Sequence, residues 1–135
     1  NLENIRNQRE KNALYLISKL SKFKSLRIPK PGKNIRHAWY RLYVYVENNL
    51  LIAGWDRNRI ISEINILGYP AFSGSCGMIF KEKCFKNYKV DPEIKICNEL
   101  NETSLAFLVH PNITSNQIEN YADAISKTIA KATIK

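Results

Sequence analysis

The stretch His37–Val46, HAWYRLYVYV, limits the fold more than any other part of the chain. It holds one tryptophan, three tyrosines and two valines in ten positions, residue types that fit a pleated surface. Strand alternation divides it into two faces. Ala38, Tyr40, Leu42, Val44 and Val46 point one way, and His37, Trp39, Arg41, Tyr43 and Tyr45 the other. The first face is apolar enough to lie under helices. The second suits a half-wet sheet face, and equally a surface that meets another domain or a ligand.

The remaining segments arrange themselves around this strand. Leu2, Ile5, Ala13, Leu16, Ile17 and Leu20 recur at helical spacing and predict a helix over residues 2–22. Pro29, Pro31 and Gly32 then force an irregular connection, with room for a short strand at Ser25–Ile28 just before it. Asp56 is an N-cap for a helix carrying Ile60, Ile61, Ile64 and Leu67 on one face, with Gly68 as its stop. Ala71 and Phe72 can be strand, and Ser73–Gly77 is a loop of small residues. Met78–Tyr88 and Glu93–Leu100 read as short helices. Thr103–Val109 is a second strand, apolar on both faces and therefore central. Thr114 and Gln117 make a capping box for a last helix with Ile118, Tyr121, Ala122, Ile125 and Ile129 inward. The order predicts an α/β (α+β) two-layer sandwich. In it, a small three-stranded mixed or antiparallel sheet is flanked by helices.

At 135 residues the chain has the size of one domain with one core. No apolar run reaches the roughly 18 residues needed to span a membrane. Asn1–Asn4 do not form a secretory signal, and the chain does not begin with methionine, so it reads as a piece of something longer. The net charge of +9 is localised. Residues 1–41 hold eleven Lys/Arg against two acids, and the rest of the chain balances. Such a basic arm can bind nucleic acid or an anionic membrane, form a solvated helix face, or meet an acidic surface of a companion domain. Cys76, Cys84 and Cys97 are an odd count without tight pairing, which fits a reducing, cytoplasmic setting. With His37 and His110 as the only histidines, this is not a zinc pattern, and the thiols are expected to be buried and free.

No complete catalytic constellation appears. His37 and His110 sit at strand ends, where a histidine can point into a cleft, but neither has a carboxylate or serine partner in sequence. Arg41, in mid-strand, needs an anion, an aromatic stack or a salt bridge, and is the best single candidate for holding a carboxylate or phosphate. Tyr40 should point away from it unless a bulge intervenes. Ser73, Ser75 and Cys76 lie in the glycine loop, which is neither a Walker loop nor a dinucleotide fingerprint, and a tight connection explains it more simply. The lysines crowd polar helix faces and turns, and none sits where a Schiff base would form.

Taken together in order, HAWYRLYVYV, GWDRNRIISEINILGYPAFSGSC and LNETSLAFLVHPNITSNQIENYADAI resemble the C-terminal small domain of sugar aminotransferases of the DegT/DnrJ/StrS type. These are pyridoxal-phosphate enzymes of the aspartate-aminotransferase fold. Tyr40, Arg41, Leu42 and Tyr43 match the family's aromatic-basic-Leu-Tyr strand. Arg57, Ile60, Leu67, Gly68, Tyr69 and Pro70 match its helix and turn. Leu105–Pro111 and the segment after Thr114 match its last strand and capped helix.

The likeness spans about residues 35–132. It implies residues 1–34 as a basic connector helix and linker and 35–135 as the small domain. It also implies a preceding large domain that carries the cofactor lysine, and a homodimer of the full-length enzyme. Nucleotide-linked keto-sugars and glutamate would be the substrates, in polysaccharide or secondary-metabolite biosynthesis. The small domain would close over the active site and contribute contacts from His37, Trp39, Tyr40, Arg41, Ser73 and Ser75. No catalytic residue and no metal ligand is expected in the chain itself. One departure stands out: the family's loop histidines are replaced here by Ser73, Gly74, Ser75 and Cys76. A regulatory domain on the same fold, or a basic nucleic-acid module, is the rival reading.

Overall fold

The computed structural model describes residues 1–74, 78–81, 83–85, 87 and 94–134; the side chain of residue 81 is not included. Four helices accompany a small antiparallel sheet. They are α1 (Leu2–Leu20), α2 (Arg57–Ile66), α3 (Lys95–Thr103) and α4 (Ser115–Ala132), and the strands are β1 (Leu26–Arg27), β2 (Arg41–Val46), β3 (Ala71–Ser73) and β4 (Ser104–Leu108). The sheet has four strands in the order β1-β2-β4-β3, every neighbouring pair antiparallel. The α+β architecture expected from the sequence is present, with the short segment before the prolines supplying a fourth strand. β4 is central, between β2 and β3, as its two apolar faces require.

The caps read from the sequence form. Asp56 accepts from the Arg59 backbone N–H at 2.7 Å. Thr114 and Gln117 close a reciprocal capping box at the start of α4. Gly68, at φ +84°, ends α2 in the left-handed region, where a side chain would be strained. Asn65 then clamps the next strand by bonding both the N–H (2.9 Å) and the carbonyl (3.1 Å) of Ala71.

The core lies between helices and sheet. Leu16, Ile17 and Leu20 of α1, Ile60 and Ile64 of α2, and Ile118, Tyr121, Ile125 and Ile129 of α4 pack on Leu42, Val44, Leu105 and Phe107. The register Leu42↔Phe107↔Ala71 sets one row of that inner face.

Four expectations are corrected. Leu2 and Ile5 stay exposed, because α1 reaches the core only from Asn12 onward. Leu67 is half exposed, since α2 ends at Ile66 and the chain turns away at Gly68. Among the described residues of 78–88, the chain forms two short 3-10 turns, Ile79–Lys81 and Lys83–Phe85, rather than an α-helix. Cys84 and Cys97 are exposed rather than buried: both lie on short elements, the turn Lys83–Phe85 and α3, which bury almost none of their described residues. Cys76 falls outside the described residues.

Candidate functional site

The first aromatic strand is shorter than its sequence pattern. β2 begins at Arg41, so Arg41 is its first residue and not a mid-strand one. The cause lies two residues earlier, where Trp39 adopts φ +48°, the only positive φ among the described non-glycine residues. His37 holds this turn: its Nδ1 accepts from the Trp39 backbone N–H at 2.9 Å, and the two rings sit 4.4 Å apart. The turn swings the indole into the core, leaving it 3% exposed. A left-handed conformation costs a residue with a Cβ roughly 1–2 kcal/mol. Burying about 150–250 Å² of aromatic surface at roughly 25 cal/mol/Å² gains about 4–6 kcal/mol, so burial wins.

The same turn reverses the expected partners. Tyr40 is thrown outward, 67% exposed, and does not share the inner face with Leu42. The Arg41 guanidinium lies over its ring at 5.5 Å and over the Phe72 ring at 4.9 Å. Arg9, reaching up from α1, lies over the same Tyr40 ring at 5.9 Å. The sequence reading kept Tyr40 and Arg41 apart because strand alternation was carried through a position that is not extended.

Beside this cluster, His37, Trp39, Arg41, Tyr43 and Tyr45 line a recess of about 280 Å³, closed on one side by the Pro29–Pro31 segment. Four of the six expected substrate residues, His37, Trp39, Tyr40 and Arg41, are therefore gathered. Ser73 is not. Its pairing with Leu105 places it on the opposite side of the sheet from Phe72, which pairs with Ala106 in the same row as Tyr43. Phe72 takes the place beside Arg41 that the serine was expected to fill. Ser75 lies outside the described residues. Gly74 serves the tight connection: its N–H bonds the Ser104 hydroxyl at 3.1 Å, and an added Cβ would stand 2.8 Å from the Ser104 Cβ.

A second cavity, about 410 Å³, opens where β4 runs into α4 and is lined by residues that include Tyr69, His110, Gln117 and Tyr121. Tyr121 stacks on Tyr69 (5.8 Å), donates its hydroxyl proton to the Pro70 carbonyl and accepts from the Leu108 N–H at 3.3 Å. Burial pushes its phenol well above the ordinary range, with the Leu108 bond opposing only in part. His110 is exposed, and its Nδ1 accepts from the Asn112 N–H at 3.4 Å. The hydroxyl is thus used in joining β3 to β4.

A lysine that bonds an aldehyde cofactor must sit in an enclosed pocket. No lysine side chain among the described residues is buried, so these residues do not fit as a pyridoxal-phosphate anchor. Among the described residues no three His, Cys, Asp or Glu side chains gather as a metal site, and no helix is long and apolar enough to cross a membrane.

No family model and no curated protein matches the chain. Solved structures do. An aminotransferase from Psychrobacter cryohalolentis is 35% identical, superposes with a TM-score of 0.88, and is matched over 96% of this chain and 35% of its own. A DegT DnrJ EryC1 StrS aminotransferase from Brucella abortus shares the fold at 17% identity and TM-score 0.73, over 93% of this chain and 31% of that one. Helicobacter pylori PseC, an aminotransferase involved in the biosynthesis of pseudoaminic acid, does so at 13% and 0.78, over 93% and 33%. The chain thus corresponds, over nearly its whole length, to about a third of the length of DegT/DnrJ/EryC1/StrS-type aminotransferases, as a C-terminal small domain would.

Proposed function

We propose that this chain is the small, closing domain of a pyridoxal-phosphate-dependent aminotransferase that acts on nucleotide-linked keto-sugars with glutamate as amino donor. The observation that carries the reading is the 35% identity with the Psychrobacter aminotransferase, spread over 96% of this chain and confined to 35% of that one. The cofactor, whose ring serves as electron sink, belongs to a companion domain in the same polypeptide. This domain's share is to close over the site and position substrate. The aromatic and cationic surface at His37, Tyr40 and Arg41, backed by the buried Trp39, is the face that does so. The full-length enzyme works as a cytoplasmic homodimer, and residues 1–34 join the two domains.

Two measurements test this. An antibody to the chain, applied to its source cells, should detect a product far above 15.6 kDa. A product at 15.6 kDa overturns the companion domain. Pyridoxal phosphate and borohydride should leave the 135-residue chain without a stoichiometric adduct at one lysine, and trap one in the full-length protein. A specific adduct on the short chain refutes the assignment of roles.

A further inference from the structure

All seven arginines of the chain are described, and five have an anionic or carbonyl partner. Arg6 and Arg36 pair with Glu3, Arg27 with Glu47 and Glu99, and Arg59 with Glu63, while Arg57 donates to the Ser104 carbonyl. Stacking on an aromatic ring does not by itself leave an arginine unpaired: Arg27 lies over Tyr45 and Arg59 over Trp55, and both still hold a carboxylate. Arg9 and Arg41 are the two without a partner among the described residues, and they meet at one ring, Tyr40. Arg9 also has a buried Nε without a hydrogen-bond partner. Two half-buried cations brought to one ring repel each other unless an anion joins them.

We infer that Arg9 and Arg41, spaced by Tyr40 and flanked by Phe72, form a binding site for a diphosphate group. A guanidinium presents a planar fork that matches phosphate oxygens two at a time. A single carboxylate can fill one fork, whereas a diphosphate has acceptors for both and charge enough to neutralise both. The aromatic rings fix the two forks in place, which lowers the entropy lost on binding. The left-handed turn at Trp39 is what delivers Tyr40 to this position. Arg9 belongs to α1, so the helix preceding the sheet takes part in the site. The inference rests on the function proposed above only for the source of the diphosphate, a nucleotide-linked substrate.

The test is titration of the 135-residue chain with inorganic pyrophosphate, followed by NMR of the arginine side-chain N–H signals and of the Tyr40–Leu42 amides. Saturable one-to-one binding centred on Arg9 and Arg41 is expected, weakening as salt is raised. R9Q and R41Q should each weaken it about tenfold or more. R41K, which keeps the charge and the fold but loses the fork, should also weaken it, and R59Q should leave it unchanged. A nucleoside diphosphate should compete with pyrophosphate. Shifts spread over the exposed lysines, or R9Q binding as well as the parent, overturn the inference. So does glutamate binding more tightly than pyrophosphate, which would make this a carboxylate site. A full-length protein that transaminates while its small domain ignores pyrophosphate defeats this inference and spares the function. Tight pyrophosphate binding in a protein without a cofactor lysine supports the site and defeats the function.

Discussion

Tyr121→Phe separates the work of one hydroxyl from the work of its ring. The ring stacks on Tyr69 at 5.8 Å and meets Phe107 edge-on at 6.1 Å, and phenylalanine keeps both contacts. What is lost is the proton given to the Pro70 carbonyl and the oxygen offered to the Leu108 N–H, two bonds that tie the entrance of β3 to the end of β4. A hydrogen bond nets about 0.5–1.5 kcal/mol, so the variant should lose about 1–3 kcal/mol in urea unfolding at pH 7. The difference between parent and variant should also depend on pH in one direction. Burial raises the folded phenol above its unfolded value of about 10. Such a group contributes stability that is fully present below pH 10 and is lost as pH rises, because the unfolded chain releases the proton while the folded chain keeps it. The other six tyrosines are common to both proteins and cancel. The difference should stay flat from about pH 6 to 9 and shrink by about 1.4 kcal/mol at pH 11. A difference that stays flat through pH 11 would refute the claim that the buried hydroxyl remains protonated in the fold. A variant as stable as the parent at pH 7 would refute its role as a tie.

Other outcomes follow from the same geometry. Gly74→Ala should cost about 1–3 kcal/mol in thermal or urea unfolding, because its Cβ would press on Ser104, and adding Ser104→Gly should restore most of the loss. Thr114→Ala removes the acceptor for the Gln117 N–H at the start of α4 and should cost about 1 kcal/mol, seen as a lower unfolding midpoint. Cys84 and Cys97 should react with a thiol reagent in the native protein without denaturant, and protection of both would contradict their exposure.

Where a local signal acts within one or two turns, the sequence was a reliable guide. The caps at Asp56 and Thr114, the stop at Gly68 and the inward face of α4 each depend on residues within about four positions of one another. The centrality of β4 was legible too, because a strand apolar on both sides must be covered on both sides. Half of the candidate site was legible for the same reason: the aromatic run pointed to His37, Trp39, Tyr40 and Arg41. Their arrangement was not. Nothing in the alternation of HAWYRLYVYV says that the chain will bend at Trp39, since that depends on an indole finding a core to enter and on His37 capping the turn. Phe72 was passed over for Ser73 because the side of the sheet on which each falls is set by pairing with β4, about thirty residues away. Nothing in the sequence singles out Arg9, because its neighbour Tyr40 is distant along the chain.

By itself, then, the sequence determined the long helices α1, α2 and α4, the caps at Asp56 and Thr114, the presence of the two main strands and the family pattern, since each is written in the spacing of neighbouring residues. The tertiary structure alone decided which residues share the site. Helix packing, strand register and one left-handed turn bring Arg9, Tyr40, Arg41 and Phe72 together, and burial energy, which is summed over the whole core rather than over any segment, fixes all three.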